Sequence, residues 1–101
     1  MNRVLSYIGI ARKAGKLAFG TDAVCDLLRK GMKNPVFAAS DVSSATKKKL
    51  TDKCAFYGVR LVTLDVDTAE LGHAIGKTGA VAAVCITDEG LANAAIAAVT
   101  A

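Results

Sequence analysis

Few residues in this chain are equipped for covalent chemistry, and none is arranged for it. The one histidine, His73, stands between Gly72 and Ala74 with no serine or cysteine constellation beside it. A general base needs a partner and a pocket, so a surface position suits this imidazole better. Cys25, Cys54 and Cys85 lie far apart and form no CxxC pair, which reads as buried, reduced thiols rather than a metal or redox site. Ser43, Ser44 and Thr46 read as helix-start residues. Gly76-Lys77-Thr78-Gly79 holds the Gly-Lys-Thr of a phosphate loop, but GxxxxGKT needs a glycine at position 71, where Leu71 stands. The segment also precedes an apolar strand, whereas a phosphate loop must open a helix. No catalytic residue, metal or cofactor is expected.

Non-covalent chemistry has more support. In Gly15–Asp22, two glycines permit close backbone approach, and Gly20-Thr21-Asp22 looks like a helix start, with Gly20 or Thr21 as N-cap and unpaired N–H groups that suit a phosphate. Arg12, Lys13 and Lys16 add charge beside it. The turn Gly76–Gly79 is donor-rich, and its Lys77 is the one basic residue after Arg60. Residues 1–60 hold twelve of the thirteen basic residues and four of the nine acids, so they carry +8 while residues 61–101 carry −4. A compact domain polarised in this way has a polyanion as the obvious partner for its basic side. Lys47, Lys48, Lys49 and Lys53 sit on a helix with a thin apolar stripe and read as a solvated face.

The elements that must position these groups are marked out by glycines and caps. Val4, Leu5, Ile8 and Ala11 recur at helical spacing, and Gly15 closes that run. Leu17–Phe19 is a brief extended piece, followed by a helix with the stripe Val24, Leu27, Leu28 that Gly31 ends. Strand Val36–Ala39 leads to a helix that begins after Ser40–Ser43 and stops at Gly58. Strand Leu61–Leu64 follows, and Asp67-Thr68-Ala69-Glu70 is a capping-box pattern opening a short helix. Ala80–Ile86 is a continuous apolar run, as expected of a central strand. Thr87-Asp88-Glu89 caps a last helix striped by Leu91, Ala94, Ala95, Ala98 and Val99. Helix, then strand and helix four times over, predicts a three-layer α/β/α sandwich: about four strands in a mixed central sheet, with helices on both faces.

The 101 residues suit one domain, 1–101. With 52% apolar residues, five aromatics and no tryptophan, the core must be aliphatic. That argues against an RNA reader built on exposed aromatics along a sheet. The apolar stretch Val4–Ala11 is too short to span a bilayer. A cytoplasmic monomer, away from membranes, is expected.

Several segments together resemble a known family. Ala11–Leu17, Gly20-Thr21, Gly31, Ala39-Ser40-Asp41, Lys47–Cys54, Leu71–Lys77 and Ile86–Gly90 look, in this order, like the kink-turn-binding ribosomal proteins of the archaeal and eukaryotic large-subunit type, and most like their small bacterial YlxQ-like branch. The resemblance implies a sandwich that grips a sharply bent RNA stem with two surfaces. One is the N-terminus of the second helix, here Gly20, Thr21, Asp22 and Ala23. The other is the loop before the last strand, here Lys77, Thr78, Gly79, Ala80 and Val81. With Lys16 beside them these residues would form the contact surface, while Arg12, Lys13, Arg29, Lys30 and Lys33 would supply peripheral phosphate contacts. The expected function is then a non-enzymatic, ribosome- or structured-RNA-associated protein, with RNA as partner and ribosomal proteins as further candidates.

The chain departs from the family's helix start, Gly-x-Asn-Glu-x-x-Lys, by carrying Asp22, Ala23 and Asp26 at the three specified positions. An ionised Asp accepts hydrogen bonds but cannot donate them, as Asn can. These differences define an alternative: a protein-interaction module on the same fold that has lost kink-turn binding.

Overall fold

The computed structural model describes residues 3–100, so the outermost ends of the expected 1–101 domain lie outside the described residues. The order is α1 (Arg3–Lys13), β1 (Leu17–Phe19), α2 (Thr21–Arg29), β2 (Val36–Ala38), α3 (Ser44–Tyr57), β3 (Leu61–Thr63), α4 (Thr68–Ala74), β4 (Ala83–Ile86) and α5 (Glu89–Thr100). The four strands form one mixed sheet in the order β1-β4-β2-β3. β4 runs antiparallel to both its neighbours, with Phe19 opposite Val84 and Phe37 also opposite Val84. β2 and β3 are parallel, a pairing that needs a crossover, and α3 supplies it.

Period-two alternation sends side chains to two cores. Phe37, Val62, Val84 and Ile86 pack with α1, α4 and α5 on one face, around Ile8, Leu71 and Ala95. Val36, Ala38, Ala83 and Cys85 pack with α2 and α3 on the other, around Val24, Leu28, Leu50 and Cys54. Both faces are covered, which makes the molecule the α/β/α sandwich expected. Each fully buried Leu, Ile or Phe side chain contributes roughly 1.5–3 kcal/mol, so the aliphatic composition suffices without tryptophan.

The apolar run Ala80–Ile86 is only partly strand. β4 begins at Ala83, because the Val81 N–H donates instead to the Thr68 carbonyl at 3.0 Å. Ala80 is exposed in the loop that this bond holds.

Strand directions decide what meets where. β1, β2 and β3 all run toward one end of the sheet and β4 starts from it. The β1–α2 junction and the α4–β4 loop therefore share that end.

Candidate nucleic-acid interface

At this end α2 starts without a plug. Gly20 is its N-cap, at φ 94° and ψ 147°, and no side chain caps the helix. A Cβ at Gly20 would meet nothing, so the positive φ, not crowding, calls for glycine here. Its N–H donates to the Ala83 carbonyl at 2.9 Å, fastening the junction to the start of β4. Its carbonyl accepts from the Val24 N–H at 3.0 Å. The leading amides at Thr21, Asp22 and Ala23 are the ones an α-helix cannot satisfy internally, and they suit an anionic acceptor. Thr21 is half-buried, and Asp22 and Ala23 are exposed.

The neighbouring loop is built on α4. Gly76, at φ 75°, turns the chain, and the Lys77 N–H returns to the Gly72 carbonyl at 2.9 Å. A Cβ on buried Gly72 would lie 2.0 Å from the Gly79 carbonyl oxygen. Only glycine lets the loop settle this closely on the helix. Lys77, Thr78, Gly79 and Ala80 are exposed on the result.

Phe19 joins the two halves. Its ring, one residue before Gly20, has the Lys77 Nζ 5.0 Å from its centroid and the Arg12 Cζ 4.9 Å from it. Each cation gains about 0.5–1 kcal/mol from such a contact at an exposed site, enough to bias both charges toward the helix start. Asp22, 95% exposed, accepts from the Lys49 Nζ at 3.2 Å. The bridge adds little stability at that exposure, but it sets a positive charge beside the carboxylate.

The structure thus brings together Gly20, Thr21, Asp22, Ala23, the loop Lys77–Ala80 and Arg12. Lys16 is elsewhere: it precedes β1, and its carbonyl accepts from the Thr87 N–H at 2.8 Å, at the opposite end of the sheet. Lys13 is exposed at the end of α1. Arg29 and Lys30 end α2, about 12 Å from its start by the helical rise. Lys33 donates from Nζ to the Tyr57 carbonyl at 2.6 Å, on the same far side. Phe19, Gly72 and Lys49 also shape this candidate surface, although the sequence gives them no part in it. Phe19 and Lys49 act across long sequence separations that leave no local signal. Gly72, a glycine inside a helical pattern, was the one readable hint of a close backbone approach.

Burial pushes the Cys85 thiol up to about 11, with Cys54 adding to it, and burial followed by Cys25 raises Cys54. Such thiols are poor nucleophiles. His73 is exposed. Among the described residues no helix is long and apolar enough to cross a membrane.

The sequence model of the ribosomal protein L7Ae/L30e/S12e/Gadd45 family matches residues 2–96. RNA-binding protein YlxQ of Bacillus subtilis (strain 168) is 40% identical over 86 residues, spanning 85% of this chain and 84% of its own. RNA-binding protein YlxQ of Enterococcus faecium is 37% identical over 75 residues, 74% of this chain and 72% of its own. Among solved structures, a protein of unknown function from Bacillus halodurans C superposes with a TM-score of 0.89 at 30% identity, with both chains fully covered. A Giardia lamblia 15.5kD RNA binding protein superposes at 0.77 over 95% of this chain and 81% of its own. At 18% identity the latter speaks for the fold alone.

Proposed function

The chain belongs to the ribosomal protein L7Ae/L30e/S12e/Gadd45 family, and from that membership we propose that it is a non-enzymatic cytoplasmic protein that binds structured RNA, ribosomal RNA included. The bent stem of a kink-turn-like RNA would lie across the start of α2 and the loop before β4. The amides of Thr21–Ala23 would meet phosphate or base-edge acceptors, and Lys77 would meet the backbone opposite. One observation carries this reading: Phe19 draws Lys77 and Arg12 toward the start of α2, which alone among the described starts of α2 to α5 has no side chain over its amides.

The alternative, a protein-interaction module, rests on Asp22, Ala23 and Asp26 standing where the family carries Asn, Glu and Lys. That charge objection weakens because each acid has a basic partner, Lys49 for Asp22 and Arg29 for Asp26. RNA is therefore the better reading, with ribosomal proteins as neighbours rather than as the primary target.

The test is a filter-binding titration of a labelled kink-turn stem across salt, with Lys77→Glu beside the wild type. Wild-type affinity falls steeply with salt. The variant binds about tenfold or more weakly, with a log–log slope shallower by about one unit per lost phosphate contact. Salt-independent binding, or no loss in Lys77→Glu, overturns the assignment. Protein that purifies free of nucleic acid but holds a protein partner favours the alternative.

A further inference from the structure

We propose that α3 carries a second RNA contact, a shelf for a single-stranded segment leaving the bound stem, with Phe56 stacking on an unpaired base and Lys53 meeting a phosphate. This rests on the RNA-binding reading and extends its surface down the α2–α3 side of the molecule.

Phe56 is 80% exposed, while the buried stripe of its helix is Leu50 and Cys54. The fold does not use this ring as core. Tyr57 holds it edge to face, with centroids 4.9 Å apart and planes at 85°, so it is steadied while most of its surface stays open. Lys53 and Lys49 stand one and two turns back, and with Lys48, Asp52 and Ala45 they line the hollow that Phe56 and Tyr57 close. Lys48 is bridged to Asp52 at 3.0 Å and Lys49 to Asp22 at 3.2 Å, which leaves Lys53, one turn from the ring, as the lysine to meet a phosphate.

Continuity supplies the occupant. A groove between α2 and α3 begins at Asp22, beside the open helix start, and passes Lys49 and Lys53 to Tyr57. Lys49 to Phe56 is about 10 Å along the helix, a span for a few nucleotides. Arg29, remote from Lys77, also lines this groove, paired with Asp26. A protein partner fits worse. One ring buries at most about 250 Å², a small part of the roughly 1,200 Å² of a stable interface, and the other large exposed apolar side chain among the described residues, Ile10, is on α1. A flat exposed ring flanked by lysines is the usual arrangement for a stacked base on a charged track.

The chain has no tryptophan, so Phe56→Trp introduces a single indole to report stacking. Titrated with a twelve-nucleotide oligoadenylate, this variant shows saturable fluorescence quenching. By anisotropy with the labelled oligonucleotide, Phe56→Ala binds roughly tenfold or more weakly than wild type, and Lys53→Gln weakens binding further while flattening its salt dependence. A kink-turn stem without single-stranded tails binds Phe56→Ala as it binds the wild type. No quenching, together with equal oligoadenylate affinity for wild type and Phe56→Ala, overturns the shelf. Failure of wild type to bind the tailless stem instead overturns the stem contact at α2 under the proposed function and, with it, the shelf as an extension of that contact, even where oligoadenylate binding is lost in Phe56→Ala.

Discussion

Of the three helices that follow β1, β2 and β3 from the same end of the sheet, α2 and α4 begin differently. α4 is stoppered twice: Asp67 accepts from the Glu70 N–H at 2.7 Å while the Glu70 side chain accepts from the Asp67 N–H, and Asp41 accepts from the Thr68 N–H at 2.7 Å. α2 begins at a glycine with no side chain over its amides. Ser43 caps α3, and Asp88 accepts from the Leu91 N–H at the start of α5. Among the described starts of α2 to α5, only that of α2 is left open. A glycine cap is weaker than a side-chain cap by only a few tenths of a kcal/mol, so the fold leaves these amides open beside Lys77 at little expense in stability. The contrast separates a helix that supports the loop from one that, on the proposed reading, meets the RNA.

The strongest way to break this contrast is at Gly72. Gly72→Ala drives a methyl into the Gly79 carbonyl, so either α4 or the loop must shift. Urea unfolding should register a loss of about 2–3 kcal/mol, and stem RNA affinity should fall with it as Lys77 moves from Phe19.

Opening the stoppered helix is the next largest change. Asp67→Ala removes one half of the capping box and lowers stability by about 1–2 kcal/mol. RNA affinity, measured at a temperature where the variant is fully folded, stays near wild type. A large affinity loss there would mean that α4, rather than α2, meets the RNA.

The smallest effect on stability comes from Asp22→Asn. The Lys49 bridge is exposed and screened, so thermal unfolding should move by less than about 0.5 kcal/mol. Stem RNA affinity should rise severalfold, because the side chain gains a donor and a negative charge leaves the phosphate path. An unchanged affinity would place the RNA away from the helix start.

Much of this architecture could be read from residue order. Gly20 before Thr21-Asp22, the Asp67–Glu70 box and the buried Val84–Ile86 segment carry local signals, since caps and alternation depend on neighbours a few residues away. The end of the run at Ala80–Ala82 could not be read. Its residues look like strand, yet Val81 hydrogen-bonds to Thr68, a partner set by how α4 lies on the loop. Lys49 reads as one lysine in a solvated row until α3 packs beside α2 and delivers it to Asp22. The same holds for Arg29 and Lys33: composition marks them as basic, but only the direction of α2 sets them at the end away from Lys77.

The strand order has a consequence for synthesis. β1 pairs with β4 and with no other strand, so a nascent chain that has not yet reached Ala83 has nothing to hold Phe19 and Gly20 in the sheet. Lys77 emerges only shortly before. The open start of α2 and the loop that carries Lys77 are therefore set against each other only once β4 has been made, so the surface proposed to meet RNA is completed later than either of its parts.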